Sequence, residues 1–386
     1  MRDTQYFSKL PGFLSWKRGR TTARGATRRL SPFKIESLEP RILLSADLGS
    51  ALSVAEILNS PTVGNQQAVV QNVQASQPVV ASTSTTPAPP PPTTSVSANW
   101  YVSTTGSDSG TGRTVDTPFR TISNAVSVAR PGDVILVRGG VYSEYVTIAN
   151  SGTSSSPITL ASYPGETAIL DGSSRTPNPN IPITNYSGRQ PRLLLVTGSH
   201  VIVKDLEIRN SADIGVEVDG NNVLLDHLHV HDTYYAGVTF WASQESTVQN
   251  STVHDAFDNN SLGDSGENAD GINAGGFSTR LTIRNNECYH DSDDGIDLGN
   301  STNVLVEGNH LHHNGYGLGG DGEGAKVLNG TNNTLQNNIA HDQRIGFDSG
   351  ESGGNFFYNN TAYNNYQTNY IEYYGNTSVN TGNSWN

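Results

Sequence analysis

Asp293, Asp294 and Asp297 stand within five positions of one another in SDDGIDL (292–298), a carboxylate density that repels itself unless a cation sits among the side chains. Upstream, NADG (268–271) adds Asp270; downstream, GEGAK (322–326) brings Glu323 and a single lysine, Lys326. Oxygen donors in this number suit a hard dication. Ca2+ is therefore the expected cofactor, held by Asp270, Asp293, Asp294 and Asp297 at about 2.3–2.6 Å.

Such a site exists only if the fold brings distant segments side by side, and the sequence repeats itself in a way that would do so. VKDLEIRN (203–210), LDHLHVHD (225–232), VQNSTVHD (248–255), IRNNECYHD (283–291), VEGNHLHHN (306–314), LQNNIAHD (335–342) and FYNNTAYNN (357–365) superpose Ile208, Val230, Val253, Cys288, Leu311, Ala340 and Ala362 in steps of 22, 23, 35, 23, 29 and 22. A unit of this length with short strands and turns fits one coil of a right-handed parallel β-helix, an all-β solenoid that buries a core only by stacking coils. The leucine pattern of a leucine-rich-repeat horseshoe is absent. Two positions earlier stand Asn286, Asn309, Asn338 and Asn360, which predicts a ladder of inward amides that satisfy one another along the axis.

The glycine-containing halves align as well: GVEV (215–218), GVTF (237–240), GINA (271–274), GIDL (295–298), GAKV (324–327) and GFDS (346–349). Their third residues are Glu217, Thr239, Asn273, Asp297, Lys326 and Asp348. Alternate residues of a strand face one way and parallel neighbours lie about 4.8 Å apart, so these should form one exposed polar line, with Lys326 between Asp297 and Asp348. The residues before the glycines bring Asp270, Asp294 and Glu323 onto successive coils. A structural salt bridge from Lys326 to Asp297 or Asp348 is the competing expectation. The longer steps place extra chain at 256–267, before Asp270, and at 312–323, before Lys326, so both insertions should wall the same edge of a groove.

One position after the superposed residues runs Arg209, His231, His254, Tyr289, His312, His341 and Tyr363. Ring stacking between coils accounts for this column better than metal binding, because no carboxylate-backed ligand set is evident beside it.

Before the repeats, PFRTISNAVSVA (118–129) spaces Phe119, Ile122, Val126 and Ala129 on one helical face, and GDVILVRGGVY (132–142) reads as a buried strand; together they predict an amino-terminal cap. Residues 59–98 are rich in Pro, Ser and Thr, with TPAPPPPTTS at 86–95, the composition of an extended linker. The organisation expected is a basic segment over 1–58, a linker over 59–98 and a catalytic β-helix over 99–386. The net charge of −13 hides an asymmetry: ten basic and three acidic residues lie in 1–41, leaving 13 basic against 33 acidic residues beyond. An acidic body argues against a nucleic-acid partner and calls for a bridging cation if the ligand is a polyanion. The basic segment has no apolar run long enough for a membrane span. The one cysteine, Cys288, excludes an internal disulfide framework.

SLEPRILLSAD (37–47) resembles the LEPR-XLL sorting motif of exported proteins from planctomycete-like bacteria, and the resemblance implies export to the medium or cell surface. NADG, SDDGIDL, GEGAK and GFD together resemble the polysaccharide lyase family nine pectate lyases over roughly 265–375, and the β-helix pattern extends from about 99. That resemblance implies a right-handed β-helix that cleaves polygalacturonate by β-elimination. It implies that the matching aspartates bind Ca2+ and that Lys326 is the Brønsted base. Asn273, Glu323, Arg344 and Asp348 are the candidate substrate contacts, the partner is an acidic polysaccharide, and a monomer is expected. The family's usual Trp is Ile296 here, and a Lys it often carries after NADG is replaced within INAGGFST (272–279); both changes bear on substrate choice. A polygalacturonase-like hydrolase is the enzymatic alternative, since its paired aspartates resemble Asp270, Asp293 and Asp294. Its Gly-His-Gly is not found, GYG (315–317) being the nearest stretch. A non-catalytic carbohydrate-binding or adhesion β-helix is the other.

Overall fold

The structure, a computed structural model, describes residues 98–173, 192–257, 269–315, 320–350, 353–373 and 377–386. The sorting motif, the basic segment, the linker up to residue 97 and, within the two expected insertions, residues 258–267 and 316–319 lie outside the described residues. Among those described, the chain winds into three parallel sheets of eleven, nine and ten strands. Successive strands pass from sheet to sheet, and each pairs with its counterpart one coil on. The predicted superposition is the observed register: Ile208, Val230, Val253, Cys288, Leu311, Ala340 and Ala362 are consecutive partners in the ten-stranded sheet.

All seven are fully buried and belong to one apolar cluster that runs from Trp100 to Ala362. Each buried Val, Leu or Ile contributes about 1.5–3 kcal/mol relative to leaving it in water. A single coil has too few of them to hold itself together, so stacking supplies the stability.

Corners explain the abundance of Asn, Asp and Gly. Between the eleven- and ten-stranded sheets, one turn position is occupied in successive coils by Asp205, His227, Asn250, Asn285, Gly308, Asn337, Asn359 and Gly382, all with φ between 51° and 71°. Only glycine takes this left-handed conformation without steric cost, and Asn and Asp tolerate it through local hydrogen bonding.

The asparagine ladder forms as expected and continues one coil further. Nδ2 of Asn286, Asn309, Asn338 and Asn360 donates to Oδ1 of the next rung at 3.1, 2.9, 3.0 and 3.1 Å, the last rung being Asn383. Each rung also receives a backbone N–H: Asn286 N donates to Asn309 Oδ1 at 2.9 Å, and Asn309 Nδ2 donates to Ile283 O at 2.9 Å. Asn309→Leu therefore strands a buried N–H and a buried carbonyl, each costing about 1–3 kcal/mol. Urea unfolding should show a midpoint well below wild type; an unchanged midpoint would mean that the ladder is decorative.

The cap contains the predicted helix, shortened to Ile122–Val128, with Thr121 as N-cap accepting from Asn124 N at 3.2 Å. Phe119, Ile122, Val126 and Ala129 are all buried. The expected single strand over 132–142 is instead two, Val134–Val137 in the eleven-stranded sheet and Gly140–Tyr142 in the ten-stranded sheet. Gly140, at φ 147°, makes the bend between them; a continuous apolar run concealed a corner of the helix. Among the described residues no helix is long and apolar enough to cross a membrane.

Candidate active site

The nine-stranded sheet carries the predicted polar column in register: Glu217, Thr239, Asn273, Asp297, Lys326 and Asp348 are consecutive partners. The column is less exposed than alternation alone suggested. Glu217, Thr239 and Asp348 are buried, and the Lys326 side chain is 15% exposed.

Glycines let the carboxylates preceding them come close. A Cβ on Gly271 would lie 2.8 Å from Gly295 O, one on Gly295 2.8 Å from Gly324 O, and one on Gly324 2.6 Å from Gly346 O. With no side chain there, Gly271 N donates to Asp294 O and Gly295 N to Glu323 O, each at 2.9 Å. Asp270, Asp294 and Glu323 are thereby stacked at the entrance to their strands. Asp270, Asp293 and Asp294, all buried, place carboxylate oxygens within 4.8 Å of one another.

Hydrogen bonds fix each carboxylate while leaving some oxygens unused. Asp270 accepts from Asp294 N at 3.3 Å and from Asn273 Nδ2 at 2.9 Å. Asp293 Oδ1 accepts from Asp321 N at 2.6 Å, and Asp294 Oδ1 from Glu323 N at 2.7 Å. Asp294 Oδ2, Asp297 Oδ1, Glu323 Oε2 and Asp348 Oδ1 are buried without a hydrogen-bond partner. Burial, then repulsion from Asp297 and Asp294, pushes the Asp270 carboxyl well above its ordinary value; burial with Asp294 and Asp270 does the same to Asp293.

The ammonium of Lys326 lies 3.3 Å from Asp294 Oδ2, 3.4 Å from Asp321 Oδ2 and 3.9 Å from Glu323 Oε2. These ion pairs are not with Asp297 or Asp348, its neighbours along the strand register. The side chain reaches toward the mouth of the coil, where Asp294 enters, rather than along the sheet. Burial opposes the charge on Lys326, but Asp294, Asp297, Asp293 and Glu323 outweigh it and hold its pKa well above the ordinary lysine value.

The four candidate substrate contacts are held in different ways. Asn273 is turned to Asp270, Glu323 is buried beside Lys326, and Asp348 lies buried at the next position of the column. Arg344 is anchored, with Nη1 donating to Asp321 Oδ1 at 3.0 Å and Nε to Gln367 Oε1 at 2.7 Å. Asp321 was not anticipated. It joins Asp293, Lys326 and Arg344, yet it sits in an insertion that the coil alignment cannot register; its place five residues before Lys326 was the available signal.

A family model described as Pel9A-like, right handed beta helix region, matches residues 100–383. The chain belongs to that family. It is 28% identical over 306 residues to pectate lyase PEL9 of Emericella nidulans, covering 70% of this chain and 74% of the relative. It is also 28% identical over 283 residues to pectate lyase L of Paenibacillus polymyxa, covering 64% of this chain but 59% of that relative's length. Among solved structures, that of pectate lyase Pel9A superposes with a TM-score of 0.62 at 23% identity, covering 74% of this chain and 76% of the other. As a Pel9A-like protein, the chain has the right-handed coil that its repeat spacing led us to expect.

Proposed function

We propose that this Pel9A-like chain is an exported, Ca2+-dependent polysaccharide lyase that cleaves a polyuronate, polygalacturonate first, by β-elimination with Lys326 as base. The observation that carries the reading is the placement of one lysine against a cluster of buried carboxylates, with Lys326 Nζ 3.3 Å from Asp294 Oδ2. The pectate lyases to which the chain is similar support the reaction class.

The residues present fit a bound dication. Asp270, Asp293 and Asp294 converge, Asp297 lies on the following strand, every donor is a hard oxygen, and Asp294 Oδ2 and Asp297 Oδ1 lack hydrogen-bond partners. Ca2+ held there would neutralise the substrate carboxylate and stabilise charge developing at the adjacent carbon 5. The protein's own side chains do the remainder. Asn273 orients Asp270, and the backbone of Asp321 and Glu323 orients Asp293 and Asp294, so the ligand set is preorganised. Lys326, when neutral, accepts the carbon 5 proton; the C–H electron pair becomes the new double bond to carbon 4, the C4–O bond breaks, and the leaving oxygen departs with that pair and takes up a proton. Asp321 ties Lys326 to Arg344, whose guanidinium can meet a neighbouring uronate carboxylate.

The reading is tested by incubating the protein with polygalacturonate, alginate and chondroitin, with and without a chelator, and following absorbance of the unsaturated product. Chelator-sensitive absorbance on polygalacturonate is expected; saturated products would favour the hydrolase. A chain beginning at Asn99 is expected to retain both activity and thermal midpoint, since the family match begins at residue 100. Loss of either would give the preceding residues a part in the fold.

A further inference from the structure

The imidazole column on the ten-stranded sheet is more than a stack of rings. Stacking is present as expected, from His231 through His254, Tyr289, His312 and His341 to Tyr363 at centroid spacings of 4.6–5.2 Å. The expectation that no carboxylates accompany it is wrong. His231, His254 and His341 each donate Nδ1–H to the next residue, Asp232, Asp255 and Asp342, at 2.6, 2.6 and 2.7 Å. Those aspartates sit at left-handed corners and turn back on the preceding ring, a local geometry that strand alternation does not reveal.

The column contains the same constellation twice. Glu207 is paired with His229, and His231 with His254; in identical register Glu287 is paired with His310, and His312 with His341. In both copies the second histidine of the His-X-His directs Nε2 at the glutamate, at 3.4 Å from Glu207 Oε1 and 3.3 Å from Glu287 Oε1. Two positions differ: His313 follows the second histidine where Asp232 does in the first copy, and the residue beside the glutamate changes. In the first copy Arg209 lies beside Glu207, with Nη1 2.7 Å from Oε1; the equivalent residue in the second copy is Tyr289. Among the described residues no Lys or Arg pairs with Glu287.

The rings around Glu287 are tied to one another. His341 gives Nδ1–H to Asp342, and its Nε2 shares one hydrogen with His310 Nε2, 2.7 Å away. His310 Nδ1 lies 3.5 Å from Glu287 Oε1. His312 Nδ1 is 2.8 Å from His313 Nδ1, and its Nε2 is hydrogen-bonded to Glu287 Oε1 at 3.3 Å. Two imidazole nitrogens thus lie within 3.5 Å of Glu287 Oε1, His312 Nε2 at 3.3 Å and His310 Nδ1 at 3.5 Å, so three donor atoms already converge where a cation could replace the ring proton. Glu287, His310 and His312 bring one donor atom each within 4.8 Å of the others.

We propose that Glu287, His310 and His312 form a second metal site, on a different sheet from the aspartate cluster, for a borderline dication of the Zn2+ class. Two imidazoles and one carboxylate are the donors such ions favour over Ca2+. Asp342, through His341, and His313 stand as outer hydrogen-bond partners of the two imidazoles, the place such partners take around metal-bound histidine. His310 and Glu287 are 43% and 44% exposed, which leaves an entry path and room for water in the remaining coordination positions. The ion would tie two neighbouring coils together, and Arg209 fills the same electrostatic role in the first copy.

The test is calorimetric titration of the full chain with Zn2+ in saturating Ca2+, so that the aspartates are occupied, with Co2+ absorption as an independent readout. One Zn2+ per chain is expected, with visible Co2+ bands. Glu287→Gln and His310→Ala should each weaken binding at least tenfold, while His229→Ala leaves it unchanged. Circular dichroism checks that the variants fold, and either folded variant suffices. Absence of Zn2+ binding below millimolar concentration, equal binding by wild type and the folded site variants, or an equal loss in His229→Ala would each overturn the proposal.

Discussion

Lys326→Ala is expected to lower turnover on the polyuronate by about 10²–10⁴-fold, the usual worth of a positioned general base. Lys326→Arg should lose a comparable amount, because it restores the positive charge beside Asp294 but does not give up a proton near neutrality. The two variants together separate charge from basicity: were Lys326 merely an electrostatic prop, arginine would rescue. Wild-type activity should rise toward alkaline pH. The carboxylates around Lys326 hold its pKa above the ordinary lysine value against the opposing effect of burial, so the neutral amine gains population as pH increases, and a bound dication would move that onset downward. A pH–rate profile that falls above neutral pH, or Lys326→Ala at full activity, would remove Lys326 from the mechanism. In either variant Ca2+ binding should persist, since every expected ligand remains.

Ca2+ is expected to raise the thermal midpoint, and more at pH 8 than at pH 5. At a free concentration a hundred times Kd, a ligand specific to the folded state stabilises by about 2.7 kcal/mol, roughly 5 °C or more in a domain of this size. The pH dependence follows from the site carboxyls. Burial is the largest cause that pushes Asp297 up to about 6 and Asp348 up to about 7, against an ordinary value of 3.8, while Lys326 pulls both down. Carboxyls raised in the folded state bind more protons there than in the unfolded chain. Their contribution to metal-free stability therefore falls as pH rises from about 4 to about 7. Over the same window the ligand oxygens ionise and Ca2+ binds more strongly. Calorimetric melting with EGTA and with Ca2+ at the two pH values measures the difference. An equal Ca2+ shift at both would disconnect these carboxyls from the metal. Asp294→Asn should abolish most of the shift and most of the activity, since Asp294 joins the cluster to Lys326.

The second metal site has a bearing on these experiments. EGTA strips transition metals as well as Ca2+, so a midpoint restored by Zn2+ but not by Ca2+ would report on Glu287, His310 and His312 rather than on the aspartates.

Periodicity in one dimension was enough to determine the winding of this protein. A coil must return to the same face every turn, so Ile208, Val230, Val253, Cys288, Leu311, Ala340 and Ala362 recur at coil length, and the asparagine ladder and the column from Glu217 to Asp348 follow by counting. Asp270, Asp294 and Lys326 were legible for the same reason, because a glycine follows or a strand register fixes each of them, and Asp293 adjoins Asp294 in the sequence. Contacts that leave the register needed three dimensions. Lys326 bypasses its strand neighbours for Asp294, and Asp321 enters from an insertion that the coil alignment does not register. The corner at Gly140 interrupts what reads as one apolar strand. The histidine column shows the limit most plainly: strand spacing gives the stack, but ring tautomers depend on aspartates folded back at left-handed corners. Which carboxylate lacks a cation depends on Arg209 standing in one coil where Tyr289 stands in another, a difference whose meaning appears only when Glu207 and Glu287 are seen in the same place on the sheet.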